Sequence, residues 1–157
     1  MKPWKRLLPS LWLIALAACV ATPLPQPPCY ELDVDLVDAE PLDSGVTYVG
    51  APGALTPGPV GLRVTPAQPD SDPPVSQGSA QVAQDGSFTV FVLSPLDNTF
   101  FFEAITDDTD VFVGALTVDG SGVVIEVDPG PDGDGDGSPD AIDCAPQDPG
   151  RAGQRCN

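Results

Sequence analysis

The sequence predicts an all-β chain folded as a single β-sandwich, and three observations carry that prediction. Between Tyr30 and Asp128 apolar and polar residues alternate in short runs, the period of half-buried strands. No window of helical length keeps a 3.6-residue period, and proline or glycine interrupts most of them. Val, Ile, Leu and Phe are numerous enough for one core, and a second core does not fit.

The elements follow in order. Tyr30–Val37 alternates strictly, with Tyr30, Leu32, Val34 and Leu36 on one face and Glu31, Asp33 and Asp35 on the other. This predicts a strand whose acidic row faces water and discourages edge-to-edge pairing. Further strands are expected at Thr47–Val49, Gly61–Thr65, Ala80–Ala83, Ser87–Leu93, Thr99–Thr106, Val111–Val118 and Gly122–Val127. Asp85-Gly86 and Asp119-Gly120 lie between consecutive strands and read as tight hairpin turns. Phe88, Phe100 and Phe102 should supply the bulk of the core. The proline-rich loops 50–59 and 66–78 have the composition of disordered connections and the position of a ligand surface. Asp128-Pro129-Gly130-Pro131 ends the sandwich, giving a domain over 30–128 and a tail over 129–157.

The N-terminal segment 1–18 is expected to lie outside the fold. Lys2, Lys5 and Arg6 precede the apolar run Leu11–Ala18, which is too short to span a hydrocarbon core of about 30 Å and so reads as a signal peptide. Its end, Leu16-Ala17-Ala18-Cys19, resembles a bacterial lipobox. That resemblance implies cleavage before Cys19, diacylglycerol on the Cys19 sulfur and acylation of the new amino terminus. Two or three acyl chains hold a protein on a membrane where one does not. Val20 is not the aspartate associated with inner-membrane retention, so the Gram-negative sorting rule points to the outer membrane. Segment 19–29 then forms the lipidated end and a proline-rich tether. Val20–Pro28 in extended polyproline form reaches about 28 Å at ~3.1 Å per residue.

Without segment 1–18 the chain keeps all 23 acidic residues and only Arg63, Arg151 and Arg155, a formal charge of −20. It holds no lysine, histidine, tryptophan or methionine. Such a chain repels nucleic acid and anionic lipid and attracts cations. The lack of histidine and lysine removes the usual general bases and Schiff-base groups, so no catalytic residue is assigned. Zinc is disfavoured because there is no histidine and the cysteines are not in ligand spacing.

The tail carries Asp132-Gly-Asp134-Gly-Asp136-Gly137-Ser138-Pro-Asp140-Ala-Ile-Asp143-Cys144. Aspartates stand at positions one, three, five, nine and twelve of a loop with glycine at six, the spacing that wraps a chain around a hard cation. The run resembles the calcium repeat of thrombospondin type 3, position for position. That resemblance implies carboxylate ligands from Asp132, Asp134, Asp136, Asp140 and Asp143, a backbone carbonyl from Ser138, and Ca2+ as the ion. An EF-hand or a dockerin needs flanking helices, which Pro129, Pro131 and Pro146 exclude. Asp107-Asp108-Thr109-Asp110 is a candidate second cation site at a loop tip, whose simpler reading is a solvated turn between strands. Cys144 and Cys156 are the expected disulfide, closing a short loop full of turn formers in an exported chain; Cys29 is then free or pairs with one of the other two.

The stretch Gln77–Val92 with Asn98–Asp107 resembles bacterial immunoglobulin-like and carboxypeptidase-regulatory-like modules, through its Asp-Gly-Ser-Phe turn and a later strand ending in Ala-x-x-Asp. The resemblance implies an immunoglobulin-like sandwich serving in binding or spacing. Together these readings give a non-catalytic, membrane-anchored cell-envelope lipoprotein with a calcium-stabilised tail and an envelope protein or glycan as its ligand. The alternatives are an accessory subunit of an envelope assembly and a small carboxylate-dependent hydrolase.

Overall fold

The computed structural model describes residues 29–67, 76–96, 98–107, 109–143 and 146–148. Cys19, the proposed lipid site, and Cys144 and Cys156, the expected disulfide pair, lie outside these residues. Cys29 is exposed and not in a disulfide.

The predicted all-β sandwich is what forms. Its strands are β1 (Glu31–Leu32), β2 (Val37–Leu42), β3 (Gly45–Gly50), β4 (Leu55–Thr56), β5 (Val60–Pro66), β6 (Gly78–Val82), β7 (Phe88–Val92), β8 (Thr99–Ile105), β9 (Asp110–Val118) and β10 (Val124–Glu126). One sheet has the order β10-β9-β8-β5-β6 and the other β2-β3-β7, while β1 and β4 pair as a small antiparallel ribbon. Every pairing is antiparallel.

Alternation explains the packing. On β5 the residues Val60, Leu62, Val64 and Pro66 are buried while Gly61, Arg63 and Thr65 are half-buried. On β7 Phe88, Val90 and Val92 are buried and Thr89 and Phe91 exposed. The inward rows of the two larger sheets meet in one core with Val46, Tyr48, Phe100, Phe102, Leu116 and Val118. Phe88, Phe100 and Phe102 are buried there, as the sequence suggests. Tyr48 joins them, its ring 5.4 Å from Phe100 and 5.1 Å from Phe102, both edge-to-face. Burial pushes its phenol well above the ordinary tyrosine range.

Three expectations about elements are corrected. Tyr30–Val37 is not one strand, because a 3₁₀ turn at Val34–Leu36 separates β1 from β2. Asp33 causes the break: its carboxylate accepts the Asp35 amide at 3.2 Å and caps the turn. The acidic row nonetheless stays wet, with Glu31, Asp33 and Asp35 exposed. Second, β2 falls where no strand was expected, since Asp38, Glu40 and Pro41 argue against one; an edge position beside β3 alone tolerates that proline.

The third correction concerns Asp85-Gly86. It does not close a hairpin within one sheet, because β6 belongs to the five-stranded sheet and β7 to the three-stranded one. The turn is tight, the Ala83 amide donating to the Ser87 carbonyl at 2.8 Å, and it passes the chain from the edge of one sheet to the adjacent edge of the other. Asp85 Oδ1 accepts from the Ser87 amide at 3.0 Å and from Ser87 Oγ at 2.7 Å, and Gly86 takes φ +87°. Asp119-Gly120, by contrast, does close the β9–β10 hairpin, with the Asp119 amide donating to the Val123 carbonyl at 3.0 Å.

Candidate functional site

The chain leaves the sheet at Val127, whose amide donates to the Ala115 carbonyl at 2.9 Å, and then enters the aspartate loop. Alternating glycines let the loop curl: Gly135 has φ +74° and Gly137 φ +94°, a region that side chains rarely adopt. Aspartates then tie the backbone. Asp132 Oδ1 accepts from the Gly135 amide at 2.7 Å and Asp132 Oδ2 from the Gly137 amide at 3.0 Å. Asp134 Oδ1 accepts from the Asp136 amide at 3.3 Å, and Asp136 Oδ1 from the Ser138 amide at 2.8 Å. Asp140 closes the figure, taking the Gly133 amide on Oδ1 at 2.8 Å while its own amide donates to the Pro131 carbonyl at 2.9 Å.

These bonds bring carboxylate oxygens of Asp132, Asp134 and Asp136 within 4.8 Å of one another. Oxygens around a calcium ion sit at about 2.3–2.6 Å, so two ligands of one ion lie at most ~5 Å apart. The three carboxylates fit that sphere. A division of labour within the side chains adds to the fit. Oδ1 of Asp134 and of Asp136 builds the loop, while Oδ2 of each is shielded from water and meets no hydrogen-bond donor. A buried carboxylate oxygen with no donor is costly unless a cation meets it.

Electrostatics agree. The Gly137 amide, with smaller help from Gly135 and Asp136, holds the Asp132 carboxyl below the ordinary range. Asp134 is pushed above it, first by desolvation and then by the charges of Asp136, Asp143 and Asp132. A positive ion would relieve each of the repulsions. Of the other residues expected in the site, Asp143 is near enough for its charge to act on Asp134, and Asp140 holds the loop through Gly133. Ser138 is buried. Asp140 and Asp143 are not in the group of three converging carboxylates.

A second polar cluster lies on the outer face of the five-stranded sheet. Arg63 on β5 stands opposite Glu103 on β8. Its Nε donates to Glu103 Oε2 at 3.0 Å and its Nη2 to Glu103 Oε1 at 2.8 Å. The same Nη2 forms an ion pair with Asp110 Oδ2 at 2.9 Å. The Glu103 and Asp110 side chains are only 8% and 2% exposed, so this is a charge network in a largely dry setting. The pairing with Glu103 is the first cause that raises the Arg63 pKa.

Asp110 thereby leaves the acidic cluster expected at a loop tip, turning inward instead of toward solvent. Asp108, from the same cluster, lies outside the described residues. The sequence does hold a cue for the network: Arg63 is the one basic residue among the described residues, set in a strand of a strongly acidic chain. Among the described residues no helix is long and apolar enough to cross a membrane. Comparison of the chain with family models, with curated proteins and with solved structures found no match.

Proposed function

We propose that this chain is a non-catalytic, lipid-anchored cell-envelope protein whose aspartate loop holds calcium and so orders the tail. The observation that carries the reading is the convergence of Asp132, Asp134 and Asp136, with Oδ2 of Asp134 and of Asp136 lacking a donor. Hard carboxylate oxygens favour calcium or magnesium over softer metals. Calcium is preferred because it accepts many protein oxygens in flexible geometry, whereas magnesium keeps most of its water. Asp140, Asp143 and the Ser138 carbonyl would complete the shell once an ion is present.

Support for the anchor is the leader and its Leu16-Ala17-Ala18-Cys19 end. Support for a non-catalytic role is the missing histidine and lysine after that leader, together with the state of the buried carboxylate pair. Glu103 and Asp110 are both held by Arg63 rather than presented to a substrate. The outer membrane is the proposed location, with the proline tether carrying the acidic sandwich off its surface.

Calorimetric titration of calcium into the whole exported chain tests the ion. We expect one site with a dissociation constant on the order of 10⁻⁴–10⁻³ M, the range of extracellular modules. Asp136→Ala should abolish the heat, and a silent titration of the unaltered chain would sink the reading.

A further inference from the structure

The outer face of the five-stranded sheet carries a feature that neither the aspartate loop nor the anchor uses. Strand register arranges that face in rows. One row runs Gln81, Gly61, Ile105 and Asp110 across β6, β5, β8 and β9; the next runs Ser79, Arg63, Glu103 and Phe112. Gly61 has no side chain to fill its place in the first row. A Cβ there would come within 3.0 Å of the Ile105 Cβ, so the strands close up and the surface dips.

Two adjoining hollows share Gly61 and Ile105. One, of about 330 Å³, reaches over Arg63, Gln77 and Ser79. The other, of about 490 Å³, reaches over Gln81 toward Tyr30 and is also lined by Thr106 and Asp107. Each falls within the range of small-ligand sites, about 300–1,000 Å³. The first contains no acidic residue, although the chain has 23 of them. Gln77 and Ser79 line it beside Arg63.

Those neutral groups bear on the ligand. Each glutamine presents an amide donor pair and a carbonyl acceptor, and serine a hydroxyl that does both. Arg63 is fixed in place by Glu103 and Asp110, so its donors do not have to be ordered on binding. Its charge is already offset by those two carboxylates, and the rest of the chain is strongly negative, so an anionic ligand is repelled. A basic polypeptide would meet Asp107 as the one carboxylate lining the two hollows, with Arg63 beside it, and would find more attraction at the converging carboxylates of the aspartate loop. We infer that the depression over Gly61 is a binding site for an uncharged saccharide. Its hydroxyls pair with Gln77, Ser79 and Gln81, and its ring packs on Ile105 and Tyr30.

The site is separate from the aspartate loop, so the two readings fail separately. The test is an array of uncharged hexose and N-acetylhexosamine oligomers beside sialylated and sulfated ones. Calorimetry of the best uncharged oligomer with the whole exported chain follows. Gln77→Ala and Gln81→Ala alter exposed side chains, so the melting temperature should hold while affinity falls at least ~tenfold, about 1.4 kcal/mol. Asp136→Ala, which empties the calcium loop, should leave saccharide affinity within about twofold, as expected for distant independent sites. Three results would overturn the inference: no uncharged oligomer bound, a preference for the anionic oligomers, or binding that both glutamine variants leave unchanged. Capture of a lysine-rich probe peptide at this face, lost in Gln81→Ala with no oligomer bound, would overturn it too and assign the face to a polypeptide.

Discussion

Arg63 holds two acidic side chains that would otherwise repel each other on a dry sheet face. Both Glu103 and Asp110 depend on its guanidinium, and the fork toward Glu103 is bidentate, the strongest geometry such a pair can take. Replacing Arg63 with methionine keeps much of the packing of its stem but takes away the positive charge that Glu103 grips and Asp110 faces. Breaking a buried pair from one side costs about 3–5 kcal/mol; with the Arg63 side chain 26% exposed the lower end applies. Urea unfolding of Arg63→Met should therefore show a loss of about 3 kcal/mol, and a loss below ~1 kcal/mol would mean that water already compensates the network. The aspartates of the tail obey the opposite logic. There the three converging carboxylates have no basic residue among the described residues to meet them. The same residue type is neutralised in one place and able to hold a metal ion in the other because of what stands beside it.

Turns and strands are built by a repeated local device. Asp-Gly-Ser occurs at Asp85, Asp119 and Asp136, and each time the aspartate Oδ1 accepts the amide of the serine two residues on. The outcome differs with the context. At Asp85 the turn becomes a corner between sheets, at Asp119 a hairpin, and at Asp136 part of the loop that gathers three carboxylates. The Asp119 turn makes a pH prediction. Its carboxylate accepts from Ser121 Oγ at 2.6 Å, from the Ser121 amide at 2.8 Å and from the Val123 amide at 3.0 Å. Those bonds, the Ser121 hydroxyl first, hold its pKa below the ordinary value of 3.8. A carboxyl depressed in the folded state stabilises above its unfolded pKa, and the benefit is lost as pH falls through the folded value. Amide protection at Ser121 and Val123, taken relative to the intrinsic exchange rate at each pH, should thus be high at neutral pH and fall once pH drops below the ordinary carboxyl value of 3.8. Asp119→Ala should show the low protection already at pH 7. Equal protection in the variant and the unaltered chain would remove Asp119 from the turn's support.

At the scale of the whole molecule, the acidic sandwich needs an attachment if it works at an envelope, and Cys19 is the residue on which that rests. The lipid-anchor proposal predicts that the chain fractionates with membranes when expressed with its leader in a Gram-negative host, and that Cys19→Ser moves it to the soluble fraction. Membrane association that survives the substitution would reject lipidation as the anchor. Strand patterning made the sandwich legible, because period-two alternation is a local property that each strand writes into its own residues. Spacing made the aspartate loop legible for the same reason: its ligands lie within one short segment. The break at Asp33 stayed hidden, since a single side-chain cap interrupts a perfect alternation without changing it. The corner at Asp85 stayed hidden because an Asp-Gly turn has the same letters whether its strands pair or part. The sequence by itself determined the fold class, the core aromatics and the clustered carboxylates. Only the tertiary structure decided that Arg63 meets Glu103 and Asp110 and that Gly61 lies under a hollow. Those pairings join residues some forty positions apart, and only strand register brings such distant residues to one place on a sheet.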